Sequence, residues 1–74
     1  MSQDNKLENR FILAKNIKKL RLKNNYGREE LSLLLGLDNS YISKIEKGRI
    51  NITIDKLSSI AEFFDIKVTD LFKP

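Results

Sequence analysis

Residues 39–47 read Asn-Ser-Tyr-Ile-Ser-Lys-Ile-Glu-Lys, and Arg49 and Asn51 follow closely. Ile42 and Ile45 mark one side of a helix, which leaves Asn39, Ser40, Ser43, Lys44 and Lys47 on the other. Amides, hydroxyls and ammonium groups in a row do hydrogen-bond chemistry rather than bond-breaking chemistry. Asparagine offers a donor and an acceptor together, as the adenine edge demands. Lysine donates to guanine O6 and N7, and serine serves several bases. A solvent-facing side of an ordinary helical bundle has a similar composition, so the surroundings must decide between the two.

Catalysis has little to work with. The chain has no histidine and no cysteine, so general acid–base work would fall to carboxylates or lysines. Glu29 and Glu30 are adjacent on a helix and point in different directions. The three glycines are scattered and form no phosphate-cradling loop. No enzyme activity, metal site or cofactor is expected. The lack of cysteine also removes any disulfide, and no basic start leads into an apolar leader. No apolar run approaches ~18 residues, so a cytoplasmic protein with no membrane role is expected.

Charge is unevenly placed. Net charge is +4, but from Asn9 to Arg28 there are seven cations (Arg10, Lys15, Lys18, Lys19, Arg21, Lys23, Arg28) and no acid. From Ile50 to Pro74, three cations face four acids. A basic half beside a near-neutral one suits a polyanion such as nucleic acid.

The elements that must position these residues read as helices throughout. With 74 residues, 41% of them apolar, the chain supports one small domain. A first helix is expected from Asn5 or Leu7 to Asn24, with Leu13, Ile17 and Leu20 inward and Leu7 and Phe11 extending the stripe. A second covers Arg28–Leu35, with Glu29 and Glu30 at its N-terminal dipole and Gly36 at its end. A third, capped by Asp38, runs to Lys47 and stops at Gly48. Thr53 caps a fourth whose apolar face is Ile54, Leu57, Ile60, Ala61 and Phe64. Val68, Leu71 and Phe72 suggest a short fifth. The expected domain is therefore all-α, with five helices over residues 9–74. Residues 1–8 are an N-terminal extension, either partly flexible or the start of helix 1.

The second and third helices form one unit. Leu31 and Leu35 must face Ile42 and Ile45 across a tight turn, which needs a small residue at the crossing, Ser32, and a residue accepting positive φ, Gly36. All six positions fit. Leu33 and Leu34 occupy places where charged surface residues would be ordinary, and one of them is expected to pack beneath the first helix rather than form an exposed patch.

The segments "IKKLR" at 17–21, "EELSLLLGLDNSYISKIEKG" at 29–48 and "TIDKLSSIAEFFDI" at 53–66 resemble the lambda-repressor/Cro-type helix-turn-helix family, also called the XRE family. Within it, "LDNSYISKIEKGRINITI" is most similar to the controller proteins of restriction–modification systems. The resemblance implies a sequence-specific transcriptional regulator, with short phage repressors and antitoxins sharing much of the pattern. It implies that Asn39, Ser40, Ser43 and Lys44 face bases, and that Arg28, Tyr41, Lys47, Arg49 and Asn51 meet phosphates. Arg21 and Glu46 match the family's ion pair between the first and third helices. Where the family has Ser or Thr followed by Gln, this chain has Gly27 and Arg28, and arginine lacks the amide's acceptor oxygen.

One helix in one groove makes few base contacts, so a two-fold dimer on a pseudo-palindromic double-stranded DNA operator is expected. Phe63, Ile66, Val68, Leu71 and Phe72 supply an apolar C-terminal surface for an isologous interface. A chain ending at Pro74 is expected to carry no ligand-binding domain, so regulation would follow protein concentration. The competing reading is an antitoxin or phage-type repressor whose apolar surface, Leu33 and Leu34 included, also binds a protein partner of unknown identity.

Overall fold

Helix α1 spans Asp4–Lys23 because no glycine or proline interrupts those residues and Leu13, Ala14 and Ile17 recur on one face that is buried. The computed structural model describes the backbone of residues 4–74 and the side chains of residues 7–74. Of the expected N-terminal extension over residues 1–8, residues 1–3 lie outside the described residues, and α1 begins at Asp4. Leu7 and Phe11 do not extend the buried stripe; both are exposed.

Four α-helices follow in order: α1, α2 (Arg28–Leu34), α3 (Tyr41–Glu46) and α4 (Ile54–Phe63). All four end alike. A residue of positive φ follows each one: Asn25 (60°), Gly36 (72°), Gly48 (67°) and Asp65 (56°). In each case the next amide reaches back to an orphan carbonyl: Tyr26 to Arg21 at 3.0 Å, Leu37 to Ser32 at 2.9 Å, Arg49 to Lys44 at 3.0 Å and Ile66 to Ala61 at 2.9 Å. This is the Schellman arrangement, and only Gly, Asn and Asp tolerate the left-handed residue readily. The same four positions therefore set every turn in the bundle.

Helix starts follow the expected caps less closely. Thr53 caps α4, its hydroxyl accepting from the Lys56 amide at 3.2 Å. At α2 the Glu30 carboxylate accepts from the Gly27 amide at 3.1 Å, which is the half of a capping box that glycine permits. Asp38 does not cap α3. The helix starts two residues later than expected, with Ser40 at the N-cap, because Asp38–Ser40 form a turn of their own closed by the Tyr41 amide on the Asp38 carbonyl at 2.9 Å.

Buried side chains from every element meet in one core of Leu13, Ile17, Leu31, Ile42, Ile60 and Leu71 with their neighbours. Helix α3 lies against both α1 and α2. In place of a fifth α-helix, Val68–Phe72 form a 3-10 helix that packs on α1 and α4. Five residues suit that tighter winding. The Asn16 amide holds it down, donating to the carbonyls of Leu71 at 2.7 Å and Lys73 at 2.8 Å. Ile54, expected on the inner face of α4, is exposed in its first turn, whereas Leu57, Ile60 and Ala61 point inward. Among the described residues there is no strand and no helix long and apolar enough to cross a membrane.

Candidate nucleic-acid interface

The α2–α3 pair is held by one hydroxyl. Ser32, on α2, is fully buried; its Oγ donates to the Arg28 carbonyl at 2.8 Å and accepts from the Ile42 amide at 3.0 Å. Ile42 is the second residue of α3, so one of that helix's orphan amides is satisfied by a side chain from the preceding helix rather than by a local cap. The sequence marked Ser32 for its size alone. Ser40, at the N-cap itself, turns its hydroxyl to Asp38 Oδ2 at 3.0 Å instead.

A second tie fixes α3 on α1. Arg21 Nε and a terminal nitrogen meet the two Glu46 oxygens at 2.7 and 3.1 Å, and the other terminal nitrogen donates to the Tyr26 carbonyl at 3.0 Å. Both side chains are nearly out of solvent, at 8% and 7% exposure. The hydrogen bonds to Glu46 raise the Arg21 pKa above its ordinary value against the opposing effect of burial. The pair also clears α3 of negative charge outward: Glu46 is that helix's one acid, and it faces in.

What remains outward on α3 and its flanks is polar or cationic. Asn39, Lys44, Lys47, Arg49, Asn51 and Arg28 are exposed, and Ser40 and Ser43 are half-buried. The Arg28 side chain makes no ion pair among the described residues. Tyr41 is different. Only 8% of it is exposed and its ring belongs to the core, so a phosphate contact falls to the hydroxyl alone. The Lys56 ammonium sits 4.9 Å from the ring centroid, a cation–π contact of about 0.5–1 kcal/mol at such a site. Lys56 went unmarked in the sequence because nothing in the spacing links α4 to the start of α3.

Arg10, counted in the sequence only among the cations of the basic half, was given no role of its own. It reaches from α1 to donate to the Asn51 side-chain oxygen in the loop after α3.

The apolar expectations divide. Leu33 and Leu34 are both exposed, at 59% and 55%; neither packs beneath α1, because the inner face of α2 is already filled by Leu31 and Ser32. Leu71 is fully buried within the protomer and has no surface to give a partner, which removes it from the expected dimer set. Phe63 is exposed, and Ile66, Val68 and Phe72 are half-buried. Phe63 stacks at 5.7 Å from Tyr26 and 5.2 Å from Phe64 between ring centroids, which fixes its orientation at the surface.

Two helices joined by a tight turn, locked by Ser32 and by an inward-facing ion pair, and presenting a short polar helix, define a helix-turn-helix domain. The helix-turn-helix family profile matches residues 17–71. The Neisseria hypothetical transcription factor of Neisseria meningitidis is 31% identical over 88% of this chain and 61% of its own length. Control protein C.BamHI of Bacillus amyloliquefaciens is 30% identical over 84% of this chain and 78% of its own, and control protein C.SmaI of Serratia marcescens is 33% identical over 81% and 71%. A hypothetical transcription factor from Neisseria, known as a crystal structure, superposes with a TM-score of 0.84 at 30% identity, covering 89% of this chain and 76% of that one. The restriction–modification controller protein C.AhdI of Aeromonas hydrophila gives 0.77 at 28%, covering 85% and 96%. The chain belongs to the helix-turn-helix family, in its lambda-repressor/Cro (XRE) branch of DNA-binding transcriptional regulators. Within that branch it is similar to the control proteins C.BamHI and C.SmaI and to the restriction–modification controller protein C.AhdI.

Proposed function

We propose that this chain is a sequence-specific, cytoplasmic regulator that binds double-stranded DNA as a homodimer and controls a restriction–modification system. The observation that carries this reading is the outward face of α3 and of the turn before it, which bears Asn39, Ser43 and Lys44 while the helix's single acid is paired inward with Arg21. Such a helix fits the major groove, where amide, hydroxyl and ammonium groups distinguish base edges. Asn39, Ser40, Ser43 and Lys44 read bases. Arg28, Lys47, Arg49, Asn51 and the Tyr41 hydroxyl meet phosphates and set the register.

The dimer reading is supported by apolar surface at the C-terminal end of the fold. Phe63, Ile66, Val68 and Phe72 retain exposed area there, in a form suited to an isologous contact that spaces two recognition helices one turn of DNA apart. The structural neighbour named a restriction–modification controller protein, together with the relatives named control proteins, favours a regulated gene within a restriction–modification system over the antitoxin reading.

The test is binding to the duplex just upstream of the protein's own gene against a shuffled duplex, with the mass of the complex measured by sedimentation. A preference of about a thousandfold with two protomers per site is expected. Equal affinity for both duplexes would remove the claim of specificity, and one protomer per site would remove the dimer.

A further inference from the structure

Arg10 lies in α1, outside the helix-turn-helix unit and outside every role assigned above. Its guanidinium donates to the Asn51 side-chain oxygen, bridging α1 to the loop that leaves α3. The same stretch of α1 touches the start of that loop, since a Cβ placed on Gly48 would sit 3.6 Å from the Phe11 ring and 4.0 Å from the Arg10 Cβ. An open cavity of about 410 Å³ lies alongside, with Asn9, Arg10 and Asn51 at its polar edge. Among the described residues no carboxylate pairs with Arg10.

Arginine has donors only. An asparagine facing it must present its oxygen, which turns the Asn51 amide nitrogen and both its donors away from α1. Arg10 therefore fixes which end of Asn51 looks outward, and it brings a full positive charge with further N–H groups to the same place. A neutral amide turned donor-outward beside a guanidinium with no carboxylate partner among the described residues is a receptor for a phosphodiester oxygen.

We infer that Arg10 is a positioning residue for Asn51 and, with it, grips one backbone phosphate, carrying the DNA contact surface from the recognition unit onto α1. This rests on the DNA-binding reading proposed above. Removing Arg10 should weaken specific and non-specific DNA alike, since a phosphate carries no sequence information.

The experiment measures affinity for the upstream and the shuffled duplex across a salt series, using the full chain with Arg10→Ala, Arg10→Gln, Arg10→Lys, Asn51→Ala and the Arg10→Ala/Asn51→Ala double variant, with thermal melts beside each. Arg10→Ala is expected to weaken both duplexes several-fold and to flatten the log–log salt dependence by about 0.9 per protomer. Arg10→Lys should restore the slope. Arg10→Gln, which keeps a donor for Asn51 without the charge, should not restore it. Asn51→Ala should cost less in the Arg10→Ala background than alone, because the two act on one phosphate.

An Arg10→Ala protein that melts lower yet keeps the wild-type slope would overturn the inference, leaving Arg10 as a brace for the loop. A wild-type protein without salt-dependent DNA affinity would instead overturn the DNA reading, a result that the slope comparison keeps separate.

Discussion

Replacing Ser32 by alanine isolates the bond that joins the two helices of the recognition unit. The change leaves a fully buried site of nearly the same volume, so no cavity term enters. It removes the acceptor for the Ile42 amide at 3.0 Å and the donor to the Arg28 carbonyl at 2.8 Å. Ile42 is itself fully buried, and a buried amide left without a partner costs about 1–3 kcal/mol. Alanine's better helix propensity returns a few tenths of a kcal/mol. The net expected loss is ~1–2 kcal/mol, a large share of the ~4–11 kcal/mol that a chain of this size holds. Ser59→Ala is the matched control. Its hydroxyl also donates to the carbonyl four residues back, at 3.1 Å from Asp55, but it is exposed and accepts no amide from another helix. Urea titration at constant m should show the loss for Ser32→Ala and a change within about 0.5 kcal/mol for Ser59→Ala. Hydrogen exchange should show the Ile42 amide deprotected more than its neighbours in α3. Equal effects of the two substitutions would refute the reasoning, because burial and the cross-helix bond, both present at Ser32 and absent at Ser59, are what separate them.

Breaking the Arg21–Glu46 pair from one side should be severe. Arg21→Ala strands a carboxylate at 7% exposure, with an expected loss of about 3–5 kcal/mol, whereas Arg21→Met with Glu46→Leu should recover most of it in the same unfolding assay. On DNA, Asn39→Ala or Lys44→Ala should cost about 1–3 kcal/mol on the true site and relax one base position. Lys47→Ala or Arg49→Ala should weaken all sequences alike and lower the salt slope by about one unit, so indistinguishable profiles for Asn39→Ala and Arg49→Ala across a randomised library would contradict the division of roles. At the C-terminus, the Lys73 ammonium, and then the Lys67 amide, holds the Asp70 carboxyl below its ordinary pKa. A depressed carboxyl adds stability above its unfolded pKa and loses it as pH falls through the folded value. The 3-10 helix should therefore loosen only below the usual aspartate range, and an NMR titration of the Lys67 amide would show that midpoint, absent in Asp70→Asn.

Much of the fold was legible because apolar spacing reports directly on burial. Leu13 and Ile17, Leu31, Ile42 and Ile45, and Leu57 and Ile60 recur at helical intervals, and the structure buries all of them. Helix ends at Gly36 and Gly48 were legible for the same kind of reason, since a positive φ needs a permissive residue. Helix starts were not. Asp38, Asn39 and Ser40 all have capping side chains, and the choice among them depends on a turn that the local sequence does not disclose. Leu33 and Leu34 were misjudged because hydrophobicity says that burial is favourable, not that a partner surface lies within reach. Leu71 and Phe72, side by side in sequence, differ in burial because a 3-10 helix turns one of them into the core and leaves the other at its edge. The site itself divides in the same way. Outward polar positions on α3 follow from the period of the helix. The Ser32 bond, the Lys56–Tyr41 contact and the Arg10–Asn51 bridge join residues far apart in sequence, and nothing in one chain's spacing announces them.

The central claim is that the outer face of α3 reads base edges in the major groove. It is tested most directly on an operator selected from random DNA, by replacing individual guanines with 7-deazaguanine, which deletes the N7 acceptor in the major groove, or with inosine, which deletes the N2 amino group in the minor groove. In a half-site, 7-deazaguanine should lower affinity by roughly tenfold or more at one position, with that penalty lost in Lys44→Ala, and inosine should change little. Loss of affinity on inosine with none on 7-deazaguanine would place recognition in the other groove and contradict the account.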